Sequence, residues 1–171
     1  MNLTPSQTVG PFFSHALVWP DGADVVPDGA VGAFWLRGQV FDGAGAPVPD
    51  ALIETWQVPP IGAAPTFRGF GRVPTDVDGR WAVRTVRPGR VPAPDGRLQA
   101  PHLDVAVFGP GLLDRVVTRV YLPDEPSTMD DPVLSELPEP RRSTLIARVT
   151  DDGFAFDIRL QGERETVFFD I

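Results

Sequence analysis

Two histidines, one tyrosine and no cysteine are what this 171-residue chain offers for metal or nucleophile chemistry. Only His102 and Asp104 have a suggestive spacing. They lie in Ala100-Pro101-His102-Leu103-Asp104-Val105-Ala106-Val107-Phe108, where Leu103, Val105 and Val107 alternate in the manner of a strand. The same period of two puts His102 and Asp104 together on the opposite face. An imidazole and a carboxylate so placed are half of a metal site. Without cysteine, zinc sites built from His and Cys are excluded. A site of two histidines and a carboxylate would need His15 as well, and His15 falls in an irregular amino-terminal stretch. The alternative reading of His102 is a hydrogen-bonded structural histidine.

No other stretch supplies a self-sufficient constellation. Gly69-Phe70-Gly71-Arg72 runs into Val73-Pro74, so no glycine-rich loop opens a helix to cradle phosphate. No serine or threonine sits in a nucleophile signature, and with two histidines a Ser-His-Asp triad has no sequence support.

The elements that would position His102 and Asp104 read as short strands. Ala33 to Phe41, Ala51 to Val58, Arg80 to Val86, His102 to Phe108, Val116 to Leu122, Leu145 to Val149 and Phe154 to Leu160 carry strand patterns, with Thr166 to Asp170 as a last edge strand. Thr150-Asp151-Asp152-Gly153 reads as a hairpin turn. Glu54, in the second of these strands, needs a basic partner or a wet edge, because burying it alone costs several kcal/mol. Pro59 to Pro74 and Arg87 to Pro101 read as loops. Asp131-Pro132 opens a short helix, with Asp131 as cap, Pro132 at the first helical position and Pro138 as the stop. The 17 Gly and 20 Pro punctuate the whole chain rather than forming one tract. The fold class expected is all-β: an antiparallel β-sandwich of about eight strands with long loops and little helix. Residues 1–171 read as one domain, and residues 1–32 as an extended arm that Pro5 and Pro11 keep out of helix. The arm carries Phe12, Phe13 and Trp19, so it is expected to pack on its own domain or on a partner chain.

Composition narrows the function classes. A hydrophobic fraction of 42% and a charged fraction of 22% are those of a globular protein. The net charge of −8 argues against nucleic-acid binding, which needs a basic face. No basic segment followed by an apolar run opens the chain, and no apolar run approaches a bilayer span, so the expected location is cytoplasmic.

Taken together in order, several segments resemble the intradiol ring-cleavage dioxygenases. They are Thr4-Pro5-Ser6-Gln7-Thr8-Val9-Gly10-Pro11-Phe12, Arg37-Gly38-Gln39-Val40-Phe41-Asp42-Gly43, Ile53-Glu54-Thr55-Trp56-Gln57, Asp78-Gly79-Arg80-Trp81 with Thr85-Val86-Arg87-Pro88-Gly89, and Ala100-Pro101-His102-Leu103-Asp104. The tail Phe154-Ala155-Phe156-Asp157-Ile158-Arg159-Leu160-Gln161-Gly162 with Glu165-Thr166-Val167-Phe168-Phe169-Asp170 completes the series. The resemblance implies a ferric ion held by two tyrosines and two histidines in a His-x-His pair. In this chain the pair is His102 and Asp104, one tyrosine position is Val91, and no tyrosine lies between Trp56 and Asp76. It therefore implies an alpha-type subunit that lacks the metal ligands, with Fe(3+) bound by a homologous beta subunit and not by this chain. The implied reaction is the opening of 3,4-dihydroxybenzoate by O₂, between its hydroxyls, to 3-carboxy-cis,cis-muconate, in a higher (alpha-beta)n oligomer. By the same resemblance Thr8, Gly10, Pro11 and Phe12 line the substrate cavity from the alpha side.

Where the family has an arginine in the turn after Phe108, this chain has Pro110; Arg115, Arg119 or the beta subunit would then supply the positive charge. His102 and Asp104 are expected to be bonded or paired to neighbouring basic groups such as Arg84, with no metal between them. Two other readings stay open: a β-sandwich binding or assembly module without an enzyme partner, and a self-sufficient metalloenzyme using His15, His102 and Asp104.

Overall fold

The computed structural model describes residues 4, 5, 7, 8, 10 and 13–170, and Phe13 and Ser14 without their side chains. The strands among them are β1 (Phe34–Phe41), β2 (Leu52–Trp56), β3 (Phe70–Pro74), β4 (Arg80–Thr85), β5 (Val91–Pro92), β6 (Leu98–Gln99), β7 (His102–Phe108), β8 (Val116–Tyr121), β9 (Arg148–Thr150), β10 (Gly153–Ala155) and β11 (Ile158–Arg159). Three single-turn helices accompany them: α1 (Phe13–Ala16), α2 (Pro132–Ser135) and α3 (Glu139–Arg142).

Two sheets face each other. One runs β3-β2-β7-β8 and is antiparallel throughout. The other is built on β1, with β4 antiparallel on one side and β10 followed by β11 on the other; β9 adds to β10. The expected sandwich is therefore present, with one departure from strict antiparallel pairing: β10 and β11 run parallel to β1. They act as one strand broken at Phe156-Asp157, where the Phe156 N–H donates to Arg37 O and the Gln39 N–H donates to the Asp157 carboxylate. Gly38 makes the break possible. A Cβ there would lie 1.8 Å from the Phe156 carbonyl oxygen, so only glycine lets the two backbones approach this closely.

The core fills the space between the sheets. Leu36, Val40, Val83 and Ile158 from one sheet meet Ile53, Leu103, Val105, Val107 and Val120 from the other, all with no accessible surface. Each such side chain contributes roughly 1.5–3 kcal/mol by leaving water. Leu103, Val105 and Val107 are the inward face of β7, as their alternation predicts.

The other face of β7 is not open along its whole length. A second apolar cluster, Ala100, Tyr121, Leu134, Leu145 and Val167, covers its start with α2 and the turn at 143–145. Asp131 caps α2 as predicted, accepting from the Val133 and Leu134 N–H groups at 2.9 and 3.0 Å with Pro132 in the first turn.

Glu54 meets its basic partner across the ladder, where Arg72 Nε donates to it at 2.7 Å. That partner lies in β3, inside the stretch expected to be a loop. Further along the chain, Thr150 pairs with Gly153 across the predicted hairpin turn. Leu145, however, belongs to a 3₁₀ turn, so the strand expected from 145 starts only at Arg148. The expected edge strand at 166–170 is reduced to an isolated bridge from Phe169 to Val117.

Candidate functional site

Register brings the site together. In the β7–β8 ladder His102 stands opposite Tyr121, and Asp104 opposite Arg119. All four project to the outer face, because residues two apart share a face. β6 runs beside them and contributes Gln99, whose ladder partner in β5 is Val91. The positions singled out by sequence at 91, 102 and 104 thus belong to one neighbourhood, joined through Gln99 and Arg119.

Arg119 is its hub. Its Nε donates to Asp104 Oδ1 at 3.1 Å, and its Nη1 donates to Gln99 Oε1 at 2.5 Å, with the Tyr121 hydroxyl 3.5 Å away. The guanidinium carbon also lies 5.3 Å from the centre of the Phe169 ring, a cation–π contact that adds to its fixation. The basic partner expected for Asp104 is present, but it is Arg119. Arg84 lies elsewhere, on β4, and pairs with Asp24 at 3.0 Å and with Asp28.

His102 is buried and its orientation is set by one bond. Nδ1 lies 2.8 Å from the Ala100 carbonyl, which can only accept, so Nδ1 carries the proton. Nε2 faces Asp104 Oδ1 at 3.8 Å, beyond hydrogen-bond reach. Burial, reinforced by the charge of Arg119, holds the imidazole pKa below its ordinary value and favours the neutral ring. Tyr121 packs against it with ring centres 5.3 Å apart. Burial also pushes the phenol pKa well above its usual range, so Tyr121 stays protonated.

Asp131 closes the cluster from α2. With no accessible surface, its carboxylate accepts from the Ala100 N–H at 2.7 Å and from the Tyr121 hydroxyl at 3.3 Å, besides its two helix-cap bonds.

The donors present do not fit a ferric ion. Among the described residues no group of three or more His, Cys, Asp or Glu side chains converges. Asp104 is engaged by a guanidinium, Val91 has no donor atom, and Tyr121 lies under Asp131 as a neutral phenol. His15, needed for the alternative metal site, does not join this cluster. What the arrangement can do chemically is hold charge in balance and tie β6, β7, β8 and α2 together.

Thr8 of the arm lies at the other end of the β7–β8 hairpin. Thr8 Oγ1 accepts from the Gly111 N–H at 2.9 Å, which fastens the arm to the β7–β8 turn. Gly10 is exposed, and Pro11 and Phe12 lie outside the described residues. Trp19 packs on its own chain, 5.8 Å from Phe70 of β3 and under the Arg72 guanidinium. On the same outer face, a small cavity of about 280 Å³ is lined by Glu54, Trp56, Asp104, Ala106, Phe108, Arg115 and Val117. Arg115, unlike Arg119, forms no ion pair among the described residues.

Sequence reasoning missed Arg119 as the partner of Asp104, and missed Gln99 altogether. The available signal was the hairpin itself: folding back through residues 109–115 sets Arg119 against Asp104.

Comparison with known proteins places the chain. The sequence profile of the family described as dioxygenase matches residues 10–162. The chain is 41% identical to the protocatechuate 3,4-dioxygenase alpha chain of Burkholderia cepacia, over 98% of this chain and 97% of that one. It is 32% identical to the protocatechuate 3,4-dioxygenase beta chain of the same organism, over 77% of this chain and 65% of that one. Among solved structures, the dioxygenase domain of a dioxygenase carbohydrate-binding protein fusion from Streptomyces sp. SirexAA-E superposes with a TM-score of 0.65 at 27% identity, covering 94% of this chain and 99% of that one. With the ordered series of motifs and the β-sandwich that carries them, these likenesses show that the chain belongs to the intradiol dioxygenase family.

Proposed function

We propose that this chain is the alpha subunit of a protocatechuate 3,4-dioxygenase, paired with a homologous beta subunit that holds the ferric ion. The complex joins both atoms of O₂ to 3,4-dihydroxybenzoate, breaks the ring between the hydroxyls and releases 3-carboxy-cis,cis-muconate. The observation that carries this reading is the end-to-end likeness to an alpha chain at 41% identity. The donor set around Arg119 supports it, because those side chains are engaged with one another and with the backbone. So does the outer sheet face, where Trp19 and Trp56 remain 41% and 50% exposed beside Phe70, an apolar surface suited to a partner.

In this reading residues 1–32 form the arm of a single domain spanning residues 1–171, and Thr8, Gly10, Pro11 and Phe12 wall the substrate cavity of the partner. Thr8 is anchored by Gly111 as an acceptor and keeps its own hydroxyl proton available to donate. Such a wall orients the substrate and excludes water without entering the bond-making steps. Of the two arginines that could meet the substrate carboxylate from this chain, Arg119 is committed to Asp104 and Gln99, which leaves Arg115.

The test is expression of the full chain alone and together with a homologous beta chain, followed by iron analysis, visible absorption and O₂ uptake with 3,4-dihydroxybenzoate. The chain alone should be colourless and iron-poor. The co-purified complex should carry iron, a tyrosinate-to-iron charge-transfer band and activity. Stoichiometric iron in the chain alone, or failure to associate with the partner, overturns the proposal.

A further inference from the structure

The chain carries a net charge of −8, yet one cavity reverses the sign. Its volume is about 760 Å³, and it is bounded by β9, β10 and β11 and by the segments 140–146 and 163–166. That is ample room for a small molecule. The chain has no lysine, so its 15 basic side chains are all arginines, and four of them line this cavity: Arg141, Arg148, Arg159 and Arg164. Asp157 and Glu163 are the carboxylates among the lining residues. Asp157 is taken up by Arg148, at 2.9 Å, and by the Gln39 N–H. Arg141 gives Nη1 to the Glu165 main-chain carbonyl at 2.6 Å, a bond that satisfies a donor without neutralising the charge, and the Glu165 carboxylate stays 3.9 Å away. Arg159 and Arg164 form no ion pair among the described residues, and Glu163, also outside any such pair, sets one negative charge against their two. Arg159 is held in place all the same. Its guanidinium lies 4.6 Å from the centre of the Phe41 ring, and its main chain bonds to Thr166 twice, at 2.9 and 3.0 Å. Thr166 is 1% exposed, and its hydroxyl accepts from the Arg159 N–H while its own proton has no acceptor among the described residues.

We propose that this cavity binds a small oligoanion, a molecule bearing two or more carboxylate or phosphate groups. The guanidinium fork matches the paired oxygens of either group, which a compact ammonium does not, and the cations here are all of that kind. A single anionic group meets one fork and leaves the others facing each other across the cavity. A second group on the same molecule meets another fork and removes that repulsion, so affinity rises with the number of anionic groups. Arg159, immobilised over Phe41, and Arg164 are the cations free to receive them, and the Thr166 hydroxyl is a neutral donor beside Arg159. The site is independent of the reading as an alpha subunit, and its test follows neither iron nor substrate turnover.

The experiment titrates citrate and pyrophosphate, by calorimetry at constant ionic strength, into the full chain and into its complex with a homologous beta chain. Acetate is the comparison with one anionic group. Citrate or pyrophosphate should bind at one site, at least tenfold more tightly than acetate, and whichever of the two binds better identifies the group the cavity prefers. Arg159→Gln combined with Arg164→Gln should weaken that binding at least tenfold. Arg164→Glu, at an exposed position, should weaken it at least fivefold and keeps the test decisive if the double variant fails to fold. Arg80→Gln removes an exposed arginine that does not line the cavity and should leave binding within about twofold of the unaltered chain. Binding of neither probe, equal weakening by Arg80→Gln and Arg164→Glu, or binding no tighter than that of acetate each overturns the proposal. So does binding by the chain alone that vanishes in the complex, which would give the four arginines to acidic side chains of the partner. None of these outcomes bears on whether the complex opens 3,4-dihydroxybenzoate, so the two proposals fail separately.

Discussion

Arg119 and Asp104 stand directly opposite each other in the β7–β8 ladder, with Nε 3.1 Å from Oδ1. The pair is half in water: the aspartate side chain is 44% exposed and the arginine 21%. A pair in that position is worth more than a surface ion pair and less than a buried one, on the order of 1–2 kcal/mol. A double-mutant cycle with Asp104→Asn and Arg119→Gln, followed by urea unfolding, should give a coupling free energy of about 1 kcal/mol that shrinks in high salt. A coupling near zero at low salt would mean that the alignment is geometric only.

Asp131 carries more of the structure than its place in a four-residue helix suggests. Its carboxylate is the acceptor for the N–H groups of Ala100, Val133 and Leu134 and for the Tyr121 hydroxyl. Asp131→Ala removes a helix cap, which costs about 0.5–2 kcal/mol. It also leaves the buried Ala100 N–H without its partner, at about 1–3 kcal/mol more. The expected loss is about 2–4 kcal/mol in denaturant unfolding, well above that of Asp152→Ala. Asp152, more than half exposed in its pair with Arg37, should lie within about 1 kcal/mol of the unaltered chain.

Much of this architecture was legible from the residues, and the parts that were not have identifiable causes. The alternation of Leu103, Val105 and Val107 gave the inward face of β7, since a half-buried strand has no other way to place its apolar groups. Asp131 followed by Pro132 announced a helix start because the cap and the missing N–H are local chemistry. β3 escaped because Gly69, Gly71 and Pro74 read as loop residues. Gly71 is there for close packing: a Cβ would sit 2.9 Å from both Thr55 Oγ1 and Val25 Cγ2. The pairing of Arg119 with Asp104 escaped for a different reason. It depends on the length of the 109–115 connection, and a slip of one residue there would send Arg119 to the other face. The network around Arg119 was therefore tertiary information.

His102 gives the chain a defined pH dependence. Burial and the neighbouring Arg119 lower its pKa in the folded state, against the opposing pull of Asp104 and Asp131. With the folded pKa below the unfolded value of about 6.5, the unfolded chain takes up a proton over that interval that the native chain refuses. Stability is then full above the unfolded pKa and falls as the pH drops below it. The urea midpoint should decrease from about pH 7.5 to pH 5.5, and His102→Gln should flatten most of that slope. A slope unchanged by the substitution would assign the dependence to other groups.

Tyr121 offers a spectroscopic check at the alkaline end, because it is the only tyrosine in the chain. Buried beside Asp131, it holds its proton far more tightly than a free phenol. Raising the pH through about 10, where an exposed tyrosine ionises, should produce no tyrosinate absorbance in the native protein. The signal should appear only as the chain unfolds, in step with the loss of tryptophan fluorescence anisotropy. Since the folded pKa lies above the unfolded one, stability should decline as the pH rises past about 10. Smooth titration near pH 10 in a still-folded chain would show that the β7–α2 contact opens readily.

The arm should act on substrate binding and leave chemistry alone. Thr8 is held at the β7–β8 turn by the Gly111 N–H, and Arg115 follows that same turn. In the complex with a homologous beta chain, Thr8→Val keeps the shape and removes both the acceptor and the hydroxyl proton. One neutral hydrogen bond is worth about 0.5–1.5 kcal/mol, so KM for 3,4-dihydroxybenzoate should rise roughly two- to twelvefold. The value of kcat should change by less than about twofold, because a group bound equally in ground and transition states affects KM alone. Arg115→Ala should raise KM for 3,4-dihydroxybenzoate more than for 1,2-dihydroxybenzene, which has no carboxylate for the guanidinium to meet. Both variants should retain the iron content and charge-transfer band of the unaltered complex. Equal losses on the two substrates would move the carboxylate contact from Arg115 to the partner subunit, and a fall in iron content would show that the arm holds the assembly together rather than the substrate.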